Sequence, residues 1–276
     1  MSLSKACKRF ADKFIIPPGD HAAIHKRSPA ETFGLDDSPE VHARHAANIK
    51  RLAELQAVLY ADKRYAILIV LQGMDAAGKD GTIHHLLTGI NPQGVRVATF
   101  KKPTEAELRH DYLWRIHAQC PERGMIGVFN RSQYEDVLVV RVHDQIDKAT
   151  CQRRYKQINH FERTLAENNT IVFKFFLHVS RDEQRRRLEA RVRDPKRNWK
   201  MELGDLAERK LWNKYQKAYE HALTACSTPE APWYAIPADQ KWFRNLAISQ
   251  IVVDRLETLN LKYPAANFDP KKVHVV

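Results

Sequence analysis

The stretch GMDAAGKDGT, from Gly73 to Thr82, has the residue types and spacing to hold phosphate. Gly73, Gly78 and Lys79 match the pattern G-x-x-x-x-G-K. Glycines let the backbone curl until successive N–H groups point inward at phosphate oxygens. The backbone of Gly73, Ala76, Ala77, Gly78, Lys79 and Asp80 is the expected cradle, and the Lys79 ammonium reaches the phosphoryl group in transfer. Two residues depart from the common pattern. Asp80 stands where a Ser or Thr would hold magnesium, and an acid, Asp75, lies inside the loop. A carboxylate among phosphates is costly unless a metal ion lies between them. Asp75 is therefore expected to bind Mg²⁺, directly or through water. The alternative is that it caps the helix that follows.

A second string, FNRSQYED from Phe129 to Asp136, follows a later apolar run. In phosphate-loop proteins such a run usually ends in an aspartate that helps hold the metal. Here Asn130 takes that place, a poor ligand for Mg²⁺, so Asp75 and Asp136 are the expected metal ligands. Arg131 is placed to face the phosphates; a surface salt bridge is the other reading. A third string, SRDEQRRRLEARVRDPKRNWK from Ser180 to Lys200, is strongly basic. Arg187 and Arg191 are four apart and share a helix face, while Leu188 and Val192 can anchor another. A charge run of this kind is often only a solvated face. Opposite a phosphate loop it also fits a lid whose arginines stabilise the moving phosphoryl group and exclude water. Lys101, Lys102 and Lys200 extend the same basic groove. His42 with His45, and His84 with His85, read as ordinary helix residues.

These groups need a scaffold, and the apolar pattern supplies one. YAILIVLQ (65–72) is a continuous β-branched run ended by Gly73, as expected of a strand buried on both faces. VRVATF (95–100), MIGVFN (125–130), IVFKFFLHV (171–179) and WYAIP (233–237) read similarly. Helices alternate with them. Ser38 with Pro39 starts one that lasts to about residue 60. Thr104 with Glu107 and Ser180 with Glu183 are capping boxes that start two more. The alternation predicts an α/β sandwich with a mainly parallel, five-stranded sheet. Residues 1–37 read as an N-terminal arm, and 38–276 as a single domain with its lid at about 180–205.

The chain has 276 residues, 43% hydrophobic and 28% charged, which is ample for a core without staples. Cys7, Cys120, Cys151 and Cys226 form no CxxC, so neither a disulfide framework nor a zinc site is expected. A reducing cytoplasm suits such a chain. The first residues lack the apolar core of a signal peptide, and no apolar run approaches the ~20 residues of a membrane helix. The net charge of +12 leaves three readings open: a solvated surface, nucleic acid or a polyanionic substrate.

Taken together, LQGMDAAGKDGT, INPQGVRVATFKKPT, DYLWRIH, FNRSQYEDVLVVRVH, RRRLEARVRDPKRNWK and APWYAIPAD resemble the polyphosphate kinase 2 family, in order, over roughly residues 45–260. FNRSQYEDVLV, with Asn130, resembles the class III branch, whose members phosphorylate both AMP and ADP. The resemblance implies a thymidylate-kinase-like P-loop fold of three layers, a helical lid and Mg²⁺. It also implies inorganic polyphosphate as donor, an adenine nucleotide as acceptor, and a homo-oligomer (dimer or tetramer). It puts the family's loop acid and lysine on Asp75 and Lys79, its second-motif arginine on Arg131, and its lid arginines on Arg187 and Arg191. Asn130 and Glu135 are then the candidates for accepting AMP. Two rivals remain at this level. An ATP-dependent nucleoside monophosphate kinase shares the fold, with Asp80 against it. A non-catalytic nucleic-acid-binding protein shares the charge, with no nucleic-acid motif to support it.

Overall fold

The structure, a computed structural model, describes residues 10–196, 198–201, 203–269 and 272–273, without the side chains of 200 and 203. Cys7 and the first nine residues of the expected arm lie outside the described residues, as does the side chain of Lys200.

Six strands form one sheet: β1 (Ile15–Ile16), β2 (Ala66–Gln72), β3 (Val95–Thr99), β4 (Ile126–Asn130), β5 (Thr170–His178) and β6 (Trp233–Pro237), in the order β1-β6-β5-β2-β4-β3. The five strands expected from the sequence are mutually parallel. The addition is β1, which pairs antiparallel with β6 at the edge. Phe14, Ile16 and Ile24, from within the expected arm, are buried in the common core. All seven residues of β2 are buried, as its apolar run requires of a central strand.

The longer helices are α1 (Pro39–Asp62), α2 (Lys79–Leu86), α3 (Lys148–Glu167), α4 (Arg181–Arg193), α5 (Leu203–Lys210), α6 (Trp212–Cys226) and α7 (Lys241–Glu257). Their starts follow the capping chemistry in the sequence. The Ser38 hydroxyl accepts from Val41 N–H, and Ser180 accepts from Glu183 N–H at 3.1 Å. The short turn Glu105–Leu108 carries both halves of the Thr104/Glu107 capping box. Helix α7 packs on α1 and α2, and α3 packs on β5 and α6, so the sheet lies between two helical layers. Among the described residues no helix is long and apolar enough to cross a membrane.

This topology fixes where a ligand can sit. The chain leaves β2, runs out to the β3 edge, returns to β4 and then crosses to β5. The crevice at the carboxyl end of β2, between β4 and β5, is the switch point where open parallel sheets bind ligands. Leu71 pairs with Asn130, and Asn130 with Thr99, so Gly73, Arg131 and Lys101 leave the sheet at the same end.

Candidate active site at the carboxyl end of the sheet

The loop between β2 and α2 has a donor for each of its carbonyls, Lys79 for the first two and α4 for the next three. Lys79 Nζ donates to Gly73 O at 2.7 Å and to Met74 O at 3.3 Å. Gln184 Nε2 on α4 donates to Asp75 O at 2.9 Å. Arg187 Nη1 donates to Ala76 O at 3.0 Å and to Ala77 O at 2.9 Å. Carbonyls 73 to 77 therefore all have donors. The first helical bond of α2 is Thr82 N–H to Gly78 O at 2.9 Å. The amides just before it are left for a ligand, at the positive end of the helix. Gly73 and Gly78 are needed here. Gly78 has φ +111°, and a Cβ there would fall on the Arg244 guanidinium; a Cβ on Gly73 would stand 2.8 Å from Leu177 O. Ala76 adopts φ +61° without a glycine's freedom.

Lys79 is 9% exposed, with Asp75 and Arg131 around it. Burial pulls its ammonium below the usual lysine range, while Asp75 pulls it back up and Arg131 opposes that. Arg131 Nη2 bonds Asp75 Oδ1 at 2.8 Å, and its Nη1 lies 3.8 Å from Glu135. Burial works against this guanidinium, and Glu135 and Asp75 more than offset it, so its pKa rises. Burial raises the Glu135 carboxyl, with Arg131 and Lys79 restraining the rise. Arg131 has φ +63°, a left-handed conformation uncommon for a side chain of this size. Strain of this kind clusters at functional sites. A buried network pins the segment that follows. Glu162 accepts from Lys174 Nζ at 2.6 Å, from Tyr134 Oη at 2.8 Å and from Gln133 Nε2 at 3.0 Å.

Asn130 Nδ2 donates to Asp80 Oδ1 at 2.8 Å, so two sequence candidates meet across the mouth of the loop. Lys101 and Lys102 are exposed beyond β3 at the same sheet end. Two expectations change. Asp136, expected on the metal, faces away from the loop. Its carboxylate lies 3.8 Å from Arg115 and 4.0 Å from Arg154. The 3₁₀ turn Gln133–Asp136 rotates successive side chains by about 120°, so Glu135 and Asp136 point to different partners. Arg187, expected on the moving phosphoryl group, instead grips the loop from outside. Besides Ala76 and Ala77 it donates from Nε to Glu183 Oε1 at 2.8 Å and from Nη2 to Ala238 O and to Asp239 O at 2.9 Å. That engages all five N–H donors of the guanidinium. Arg191, one turn further out, reaches Asp205 at 3.3 Å across the lid.

Sequence reasoning missed Gln184, Tyr215, Tyr219 and Arg244. The two tyrosines, buried on α6, have pKa values raised by burial first and then by nearby acids, Asp75 and Glu135 among them. Their spacing of four was a helix-face signal, but it pointed equally well to plain core.

Phosphoryl transfer by a loop of this kind calls for a divalent cation. Among the described residues no three His, Cys, Asp or Glu side chains group to hold one. The oxygen donors present, Asp75 and Asp80 at the loop mouth, suit a hard ion that takes one or two carboxylates and fills its other positions with water and substrate phosphate.

A family model described as Polyphosphate kinase 2 (PPK2) matches residues 36–264. The chain is 46% identical over 262 residues to the AMP/ADP-polyphosphate phosphotransferase of Meiothermus ruber, covering 95% of this chain and 98% of that one. It is 47% identical over 264 residues to the ADP-polyphosphate phosphotransferase of Rhodopseudomonas palustris, covering 91% of each. The crystal structure of polyphosphate kinase 2 from Arthrobacter aurescens has a TM-score of 0.91 and 43% identity to this chain, over 95% of this chain and 94% of that one. With its loop, its sheet order and these matches along nearly its whole length, the chain belongs to the polyphosphate kinase 2 family and is a polyphosphate-dependent nucleotide kinase.

Proposed function

We propose that the chain transfers the terminal phosphoryl group of inorganic polyphosphate to AMP and to ADP, giving ADP and ATP, reversibly and with Mg²⁺ as the cation. The observation that carries this reading is the acid inside the phosphate loop, Asp75, held 2.8 Å from Arg131. Without substrate the pair neutralises itself. With a polyanion and a cation present, Asp75 and Asp80 are the residues that would hold the ion, and Arg131 is released to pair with phosphate. The relatives from M. ruber and R. palustris, named for AMP/ADP and for ADP, support these acceptors.

The chemistry follows from the charges. A terminal phosphate oxygen of the nucleotide attacks the end phosphorus of polyphosphate. The bond to the bridging oxygen breaks, and the shortened chain leaves with the electron pair. Loop amides and Lys79 hold the transferred group in line, and Arg131 takes up charge that develops on its oxygens. Asp75 and Asp80 would hold Mg²⁺, which would supply positive charge to offset the charge developing on the transferred group. The attacking oxygen is already anionic, so no side chain need act as general base. Asn130 and Glu135 are assigned to the acceptor, and Gly73, Ala76–Lys79 and Asp80 to the donor. Lys101 and Lys102 extend the donor track, with Arg191 and Lys200 on the lid. The enzyme is placed in the cytoplasm as a homo-oligomer; the free thiols Cys120, Cys151 and Cys226 suit that compartment.

The test is ATP formation from AMP and, separately, from ADP, with long-chain polyphosphate and Mg²⁺. Wild type is expected to use both acceptors, and Asp75→Asn and Lys79→Ala to lose both activities. Transfer from ATP to AMP with none from polyphosphate would sink the donor assignment.

A further inference from the structure

Behind the phosphate loop lies a positive charge that no acid among the described residues balances. Arg244, in the first turn of α7, is 2% exposed. Its guanidinium donates to the neutral Asn245 Oδ1 at 3.1 and 2.8 Å and to Ala77 O at 3.4 Å, and among the described residues no carboxylate pairs with it. Arg187 Nη1 reaches the same Ala77 oxygen at 2.9 Å. Two guanidinium groups thus converge on one loop carbonyl, and a single acid, Glu183, partners Arg187. The start of α2 lies against Arg244 as well. A Cβ on Gly78 would fall on its guanidinium, and one on Gly81 would stand 3.5 Å from Nη2.

Such a group weakens the empty protein. A buried charge without a counter-ion is costly, and a second like charge beside it adds to the cost. Burial first, and then Arg187, lowers the Arg244 guanidinium to about 10. An apolar side chain of similar length would fill the same space without that cost. Local rules broken in this way are expected where function gains from the break. Here the gain is on the far side of the loop. The carbonyls of Asp75, Ala76 and Ala77 take their donors from Gln184, Arg187 and Arg244 outside the loop, so the amides of the cradle are on the other side of that backbone from Arg244.

We propose that Arg244 is a positioning residue for the donor: it holds the loop by the Ala77 carbonyl and keeps a positive charge beneath the cradle that bound polyphosphate balances. This rests on the polyphosphate reading above. It predicts an opposition between stability and binding that a packing role would not give.

The experiment compares wild type, Arg244→Met and Arg244→Lys as full chains. It records thermal melting with and without long-chain polyphosphate, and KM and kcat for donor and nucleotide. Without ligand, Arg244→Met is expected to melt within about 2 °C of wild type or above it, because an apolar replacement of a buried charge is neutral or stabilising. Polyphosphate should raise its Tm by less than half the wild-type shift. Its KM for polyphosphate should rise on the order of tenfold, with the nucleotide KM changed less than about twofold. Arg244→Lys, which keeps the charge, should recover most of both losses. A methionine variant that fails to fold, or melts well below wild type yet keeps the full polyphosphate shift, overturns the proposal and makes Arg244 a packing residue. A wild type that neither shifts with polyphosphate nor turns it over overturns the donor reading itself, which the wild-type control shows before any variant is compared.

Discussion

Lys79 and Asp136 show how differently two charged side chains can be legible in a sequence. Lys79 follows a glycine at the end of a loop after a buried strand, and its proposed role rests on that context. The structure adds that it lies among its own loop carbonyls, 2.7 Å from Gly73 O, which phosphate would replace in the proposed role. Lys79→Ala should lower kcat by a factor on the order of 10²–10³, the usual cost of removing one donor aimed at developing charge, with the melting temperature little changed. A loss below tenfold in steady-state turnover would remove Lys79 from the transfer step. Asp136 reads in the sequence only as an acid near a strand end, and its direction depends on the 3₁₀ turn and on two arginines distant along the chain. Its consequence is a pH effect. Burial raises the carboxyl from 3.8 to about 6 although Arg115 and Arg154 oppose the shift. Between those values the folded state keeps a proton that the unfolded state has released, so stability falls as pH rises through the window, by about 3 kcal/mol in all. Asp136→Asn lacks that fall. In urea unfolding, the variant should gain about 2 kcal/mol on wild type between pH 4.5 and pH 7.5. A difference that stays constant with pH would show that Asp136 is not the buried acid described.

At the scale of elements, the strands and helix starts were readable because each has a local cause. Continuous apolar runs gave the five parallel strands, and Ser38, Thr104 and Ser180 marked helix starts by their hydroxyls. What could not be read was how elements are tied together. Strand β1 has two residues, too few for any periodicity, and pairs only because β6 offers an edge. Arg187 was readable as a basic lid residue but not as the link between three elements: α4, the phosphate loop, and the turn before α7 at Ala238 and Asp239. A guanidinium fork suits this task and an ammonium does not, since lysine offers three donors from one point in place of five in a plane. Arg187→Lys should lose at least two hydrogen bonds, worth about 1 kcal/mol each, and lower Tm by roughly 4–8 °C. Because the lost bonds hold carbonyls 76 and 77 outward, the KM for polyphosphate should rise as well. Differential scanning calorimetry with steady-state kinetics decides it. A variant with wild-type Tm would mean that the lid base does not hold the loop.

Across the whole molecule the net charge of +12 was plain in the sequence, yet composition could not assign it to a surface, a nucleic acid or a substrate. The fold narrows the choice by bringing the loop, Arg131, Lys101 and Lys102 out at one end of the sheet. A short donor such as tripolyphosphate can fill the loop and little more. On the proposed track a long chain would also run over the exposed lysines, which would displace counter-ions condensed along the polyanion. Each phosphate neutralised on a flexible polyanion contributes a slope of about −0.7 to the dependence of log affinity on log salt. Four contacts beyond the loop would therefore add a slope near −3, or about a fifty-fold weakening for a fourfold rise in salt. With free Mg²⁺ held constant, raising KCl from about 50 to 200 mM should increase the KM for long-chain polyphosphate far more steeply than that for tripolyphosphate. The nucleotide KM should change least. Replacing Lys101 and Lys102 together with alanine should flatten the long-chain slope by about 1.4 and leave the tripolyphosphate slope alone. Equal slopes for the two donors would confine recognition to the loop, and the charge beyond it would then be a solvated surface with no part in binding the chain.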